Sequence, residues 1–254
     1  VLSNVGLVPF AAMGIDIKKL LAGAKEMSEA CRVADVRKNP ALMTAVLQCL
    51  AMEKGANISV MMPYADSLKY MSDFYCQIWA ESLGKAVDKQ GNVVHAGQTP
   101  AKALGVTDQH SQVQLYTEGP FDKVITMLAV EKFRKDVVIP SDDEIDACDF
   151  LKGHTMGELL NAERVATEYA LRKAGRMNFT VTLPEVNEET VGELLAYYMY
   201  ETAFAGAYLN VDTFNQPGVE EGKKATFAML GRKGYEEKLA EVRAAKKKDE
   251  YFIN

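Results

Sequence analysis

The sequence predicts an α/β fold with a mostly parallel sheet flanked by helical arms. Through the middle of the chain, short apolar runs of strand length alternate with amphipathic helical stretches. That alternation sets parallel strands side by side through helical crossovers. The chain has 254 residues, 48% of them hydrophobic, enough to bury one large core rather than several small ones. No internal repeat or low-complexity block suggests another architecture.

Residues 1–10 are apolar and broken by Gly6 and Pro9, which predicts a buried leading segment. Asp16 is placed to cap a helix whose inner face carries Ile17, Leu20, Leu21, Ala24 and Met27 at helical spacing. Asn39-Pro40 opens a second helix with Leu42, Ala45, Val46, Cys49 and Leu50 facing inward, and Gly55 ends it. Ile58 to Tyr64 is short, apolar and closed by a turn-like Pro63, so it reads as a buried strand. Asp66 or Ser67 then caps a helix through Leu68, Met71, Tyr75, Ile78 and Trp79. The polar, Gly- and Pro-bearing stretch from Asp88 to Gly105 predicts a long loop, and 107–117 a short helix. Lys123 to Val130 reads as a second strand and Val137 to Pro140 as a third, followed by an acidic loop over 141–150. Met156 to Lys173 is an amphipathic helix stopped at Gly175, Asn178 to Leu183 a further strand, and Asn187 caps a long helix reaching Tyr208. A polar turn then leads into a final helix opened by Pro217, with a charged tail at Lys246 to Glu250.

Charge and composition narrow the function. Net charge is 29 − 35 = −6, which argues against general nucleic-acid binding. No apolar run is long enough to span a bilayer, and no secretory pattern leads the chain. Cys31, Cys49, Cys76 and Cys148 are scattered without ligand spacing and read as reduced packing thiols of a cytoplasmic protein. His95, His110 and His154 show no metal-ligand spacing. No glycine-rich nucleotide loop and no nucleophile elbow is present.

Three polar groups carry candidate chemistry. Glu81 follows Ile78-Trp79-Ala80, and a carboxylate partly desolvated beside a Trp suits a general base working near neutral pH. The same residue also fits a surface helix glutamate paired with Lys85 at i+4. His110, within Thr107-Asp108-Gln109-His110, stands near a helix start and can shuttle a proton; a plain surface or core histidine is the alternative. Gln216, Val219 and Lys223 fall at i, i+3 and i+7 of the helix opened by Pro217. They therefore share one face, which suits an oxygen-rich anion or a solvated, capped surface.

The order of these pieces carries a resemblance. Trp79-Ala80-Glu81-Ser82-Leu83-Gly84-Lys85, then Asp108-Gln109-His110-Ser111, then Gly206 through Phe214-Asn215-Gln216-Pro217-Gly218-Val219-Glu220 to Lys223 closely resembles the glucose-6-phosphate isomerase family. The likeness covers essentially the whole chain, and the last motif is its most specific part. It implies a three-layer αβα sandwich of the sugar-isomerase (SIS) type over 39–210. A helical segment over 1–38 would precede it, and a helical arm over 211–254 would carry active-site residues. It implies interconversion of glucose 6-phosphate and fructose 6-phosphate by ring opening and proton transfer through a cis-enediol, with no cofactor and no metal. Glu81 matches the family's catalytic base, His110 the ring-opening histidine donated by the neighbouring subunit of a homodimer, and Lys223 the lysine near the ring oxygen. Gln216 matches a glutamine on the substrate phosphate. Asn215 stands where many relatives have Asp. Val1-Leu2-Ser3-Asn4 resembles the residues just after a Gly-Gly-Arg-Tyr-Ser motif of the family. On that likeness the chain is expected to be a C-terminal portion lacking the upstream phosphate loops and arginine, and inactive alone. A related aldose phosphate such as mannose 6-phosphate as substrate, or a non-enzymatic sugar-phosphate-binding module, are the rival expectations.

Overall fold

A computed structural model describes residues 1–140 and 146–245. Two compact units form, Val1–Thr213 and a second beginning at Phe214. The first contains helices α1 (Asn4–Ala12), α2 (Ile17–Ala30) and α3 (Pro40–Glu53), then strand β1 (Ile58–Pro63) and α4 (Met71–Leu83). Strands β2 (Lys85–Val87), β3 (Val93–Ala96) and β4 (Thr99–Lys102) come next, followed by α5 (Thr107–Glu118) and β5 (Lys123–Lys132). Helix α6 (Met156–Lys173), β6 (Met177–Glu185) and α7 (Glu188–Tyr208) complete it. The second unit contributes α8 (Pro217–Met229) and α9 (Glu236–Ala244).

The central sheet runs β4-β1-β5-β6 with every pair parallel. Its middle strands read as unbroken apolar runs because helices cover both faces. Successive β1 side chains show this: Val60 and Met62 pack with Ile125, Met127, Tyr116 and Leu171 on the side of α5 and α6. Met61 packs with Tyr75, Trp79, Leu128, Leu195 and Tyr198 on the side of α3, α4 and α7. The outcome is the αβα sandwich the resemblance implied. Helix α2 lies on α7 through two glycines. A Cβ at Gly23 would sit 1.9 Å from the Glu189 carbonyl oxygen, and one at Gly192 would sit 1.9 Å from that of Leu20.

Local rules fix the helix starts. Asp16 accepts from the N–H groups of Lys18 and Lys19, and Asn39 from that of Leu42. Thr155 with Glu158, and Asn187 with Thr190, close reciprocal capping boxes on α6 and α7. Gly55 and Gly175 adopt positive φ just past α3 and α6, the left-handed stop that glycine permits.

Several expectations are corrected. Residues 4–12 form a helix with no fully buried residue, not a buried segment; only its Leu7 and Phe10 lean on the core. The stretch expected as a loop over 88–105 folds into the hairpin strand β3 and the sheet strand β4. Strand β4 sits at the sheet edge, half-exposed, and tolerates Pro100 there because its outward side needs no N–H. It therefore lacks the apolar run that marks β1. Val137 to Pro140 makes only one bridge, Val138 to Thr155, and both valines are more than half exposed. Asp66–Leu68 forms a separate short 3-10 helix, so α4 starts at Met71 without a side-chain cap. The helix expected after Pro217 is two helices, parted at Gly231 and Gly234, both at positive φ. Of the acidic stretch 141–150, residues 141–145 lie outside the described residues, while Asp146–Leu151 is a 3-10 helix. The charged tail Lys246 to Glu250 also lies outside them.

Candidate active site

Helix α4 leaves the carboxyl end of β1 and runs back along the sheet, so its last turn arrives at the amino edge. The contact that proves the arrival is Gly97 against Gly84: a Cβ at Gly97 would sit 3.0 Å from the Gly84 Cα, two residues before β4 begins. Glu81 is in that last turn and is exposed. Trp79 is fully buried, stacked on Tyr75 with ring centroids 5.3 Å apart. Residues two apart on a helix point to opposite sides, so Trp79 does not desolvate Glu81 as the sequence suggested. Lys85 does not pair with the carboxylate either. Its Nζ donates to the backbone oxygen of Glu81 at 2.6 Å. The Lys85 side chain is buried, which lowers its pKa, while the charges of Asp212 and Glu81 push it back up. Gln77, one turn before Glu81 on the same face and exposed, belongs to this surface.

His110 lies at the other end of the sheet. Helix α5 begins just beyond the carboxyl end of β4, and Gly105, at that turn, packs under the Tyr64 ring that follows β1; a Cβ there would be 2.6 Å from ring carbons. Its first turn is held by its own polar residues. Burial pushes the Asp108 carboxyl up, but hydrogen bonds from Ser111 Oγ at 2.8 Å and the Leu104 N–H at 2.7 Å outweigh it and hold the pKa below the usual range. Gln109 donates to the Tyr64 hydroxyl at 2.8 Å. His110 is left exposed between these anchors. A cavity of about 510 Å³ opens at the carboxyl ends of the strands, bordered by Ser67, Thr107, Lys132 and Arg134 but not by His110. This is the crevice where the connections from β1 and β5 leave in opposite directions, the usual ligand position in an open α/β sheet.

In the second unit, Pro217 opens α8 and Gln216 is its cap residue, without a side-chain capping bond. Lys223 donates to Glu220 Oε1 at 2.8 Å, one turn along an exposed surface. That pairing, the hydrogen bond ahead of the bare charge, holds the Glu220 pKa below its usual value. Gln216, Val219 and Lys223 are all exposed, as a shared outer face requires.

Within one chain, then, the sheet separates Glu81 from His110. They stand at its amino and carboxyl edges, and a helix retracing the sheet lies between them. Gln216 and Lys223 belong to the other unit. Among the described residues, no group of three or more His, Cys, Asp or Glu side chains could hold a metal ion, and no helix is long and apolar enough to cross a membrane.

Residues 1–246 match the family described as phosphoglucose isomerase. A relative named glucose-6-phosphate isomerase, from Carboxydothermus hydrogenoformans, is 56% identical over 253 residues, covering 99% of this chain and 54% of its own length. The crystal structure of a hypothetical protein from Thermus thermophilus superposes with a TM-score of 0.84 at 40% identity, over 90% of this chain and 54% of that one. A glucose-6-phosphate isomerase from Chlamydia trachomatis shares the fold, with a TM-score of 0.74 at 22% identity over 84% of this chain and 42% of its own. The chain spans about half the length of the curated relatives it matches. Through the match across 1–246 and the identity shared along nearly its whole length, the chain belongs to the phosphoglucose isomerase family.

Proposed function

We propose that this chain supplies part of an aldose–ketose isomerase that interconverts glucose 6-phosphate and fructose 6-phosphate, in cytoplasmic glycolysis and gluconeogenesis. Glu81 is the base. Its carboxylate takes the proton from C2 of the open-chain aldose while the C1 carbonyl oxygen gains one, giving a cis-enediol. Return of the proton to C1 and loss of the O2 proton leave the ketose. Atoms and electrons balance within the sugar, so the step calls for neither a metal nor a redox cofactor. His110 and Lys223 assist ring opening by moving the proton between the ring oxygen and the anomeric hydroxyl, and Gln216 holds the phosphate. In this reading residues 39–210 form the isomerase core, 1–38 its helical lead, and 211–254 the arm that brings Gln216 and Lys223.

The observation that carries the two-subunit form of this site is the placement of Glu81 and His110 at opposite edges of one sheet. An isomerase that needs both must take them from two copies, as in a closed homodimer where each copy gives one group to each site. The test is complementation in the complete gene product that carries this chain. Glu81→Gln alone is expected to lose about 10²–10⁴-fold in kcat, the range for removing a general base. Co-expressing Glu81→Gln with His110→Asn puts both intact groups into one of the two sites of each mixed dimer. Random pairing makes half of the dimers mixed, so about a quarter of wild-type activity returns. A coupled assay reading glucose 6-phosphate formation measures it; no recovery beyond the sum of the two variants overturns the shared site. Because the relatives are about twice as long, residues 1–254 by themselves are expected to show little turnover, and full turnover from them would refute that part.

A further inference from the structure

Lys85 is a buried cation that the proposed reaction does not use. Its side chain is 6% exposed, and it starts β2, whose pairing with Ala96 on β3 fixes its backbone. From there it reaches back over Gly84 to the carbonyl of Glu81 at 2.6 Å. The last carbonyls of a helix lack intrahelical partners and carry its negative end. One ammonium proton therefore ties down the very residue that bears the carboxylate. Two acids oppose the burial of this cation, Asp212 first and then Glu81 itself. Asp212 is itself held between Val211, fully buried with its N–H on the Gly206 carbonyl at 3.0 Å, and Thr213, packed on Gly206. Burying an ammonium is costly unless it is paired, so a neutral side chain here would suit a site that needed only packing. The helix end is already closed by the Gly84 N–H on the Ala80 carbonyl, which leaves the Glu81 carbonyl as the feature the ammonium adds.

Resting on the reading of Glu81 as the base, we infer that Lys85 is a positioning residue: through the Glu81 carbonyl, with Asp212 as counter-charge, it fixes the direction in which the Glu81 side chain leaves α4. Proton transfer is sensitive to such aim, since a displacement of about 1 Å can cost about 100-fold in rate.

The experiment is a double-mutant cycle in the complete gene product, with kcat and KM for fructose 6-phosphate and thermal unfolding read in parallel. Lys85→Met is expected to lower kcat about 30- to 100-fold, with KM within about twofold, as misplacement of a base predicts. Lys85→Arg, which keeps the charge and a donor, is expected to recover most of that loss. On a Glu81→Gln background, Lys85→Met is expected to add nothing, because the group it positions is gone. The same fold-loss on both backgrounds, or wild-type kcat in folded Lys85→Met, overturns the positioning role. If Lys85→Met does not fold, Lys85→Gln, which drops the charge but keeps a polar end, enters the same cycle: a kcat loss that vanishes with Glu81→Gln supports the role, and wild-type kcat or a loss that persists overturns it. Full activity in Glu81→Gln alone refutes the base itself and is seen before Lys85 is touched.

Discussion

Replacing Glu201 by Gln should stabilise the first unit, and by an amount that grows with pH. Glu201 lies in the middle of α7 and is 1% exposed. Around it stand Tyr75, Tyr197, Tyr198 and Cys49, all buried, and no cation among the groups that act on it. One carboxyl oxygen, Oε2, has no hydrogen-bond partner among the described residues. The Thr44 hydroxyl offsets the burial only in part, since its single proton is also drawn to the carbonyls of Pro40 and Ala41. Burial thus pushes the Glu201 pKa from 4.5 up to about 8.

The sign follows from linkage. Below pH 4.5 the carboxyl is protonated folded and unfolded, and no penalty exists. Between 4.5 and about 8 the unfolded chain releases the proton while the folded chain keeps it, so stability falls by about 1.4 kcal/mol per pH unit. Above 8 both states are ionised and the loss is complete. A shift of about 3.5 units corresponds to about 5 kcal/mol in full, and about 3 kcal/mol of it is present at pH 7. Gln keeps the shape and removes the titration. The stability difference between Glu201→Gln and the wild type should therefore be small at pH 5 and widen by about 4 kcal/mol by pH 8. Urea unfolding at pH 5, 6, 7 and 8 measures it, with Trp79, the sole tryptophan and fully buried, as the fluorescent reporter. A constant offset at pH 5 from an imperfectly matched amide is of no consequence; a flat difference from pH 5 to 8 refutes the argument, because Glu201 would then be titrating as it does in water.

Two further changes test the packing. Gly23→Ala gains about 1 kcal/mol of helix propensity, yet its Cβ would meet the Glu189 carbonyl at 1.9 Å; prying α2 from α7 is expected to outweigh that gain and destabilise by about 2 kcal/mol net, seen as a lowered melting temperature. Asn39→Ala removes three bonds from a buried residue, to Leu42 N–H and the carbonyls of Cys31 and Val33; a loss of about 2–3 kcal/mol in urea unfolding is expected, and under 1 kcal/mol would show that the cap is replaceable.

The sequence revealed what depended on neighbours along the chain and missed what depended on neighbours in space. Strands β1 and β5 and helices α2, α3 and α7 carry burial patterns set by covered faces and caps within four residues, so apolar runs and Asp16, Asn39 and Asn187 announced them. Strand β4 escaped because an edge strand needs neither an apolar run nor every N–H, and Pro100 disguised it. Val137 and Val138 misled in the opposite sense, being strand formers left at the surface. The site shows the same division at higher stakes. The i, i+2 step from Trp79 to Glu81 looked like desolvation in a linear string and is its opposite on a helix. Lys85 was read as a partner for the Glu81 carboxylate at i+4, whereas the break at Gly84 turns it back onto the carbonyl. Nothing in the spacing of Glu81 and His110 tells that a parallel sheet lies between them. That follows only once β1 and β4 are known to be neighbours and parallel, for then α4 must return to the amino edge and α5 must start at the carboxyl edge. The missed strand β4 and the separation of Glu81 from His110 are therefore one fact. Reading 88–105 as a loop left α4 and α5 free to meet, and the strand found there is what holds Glu81 and His110 apart.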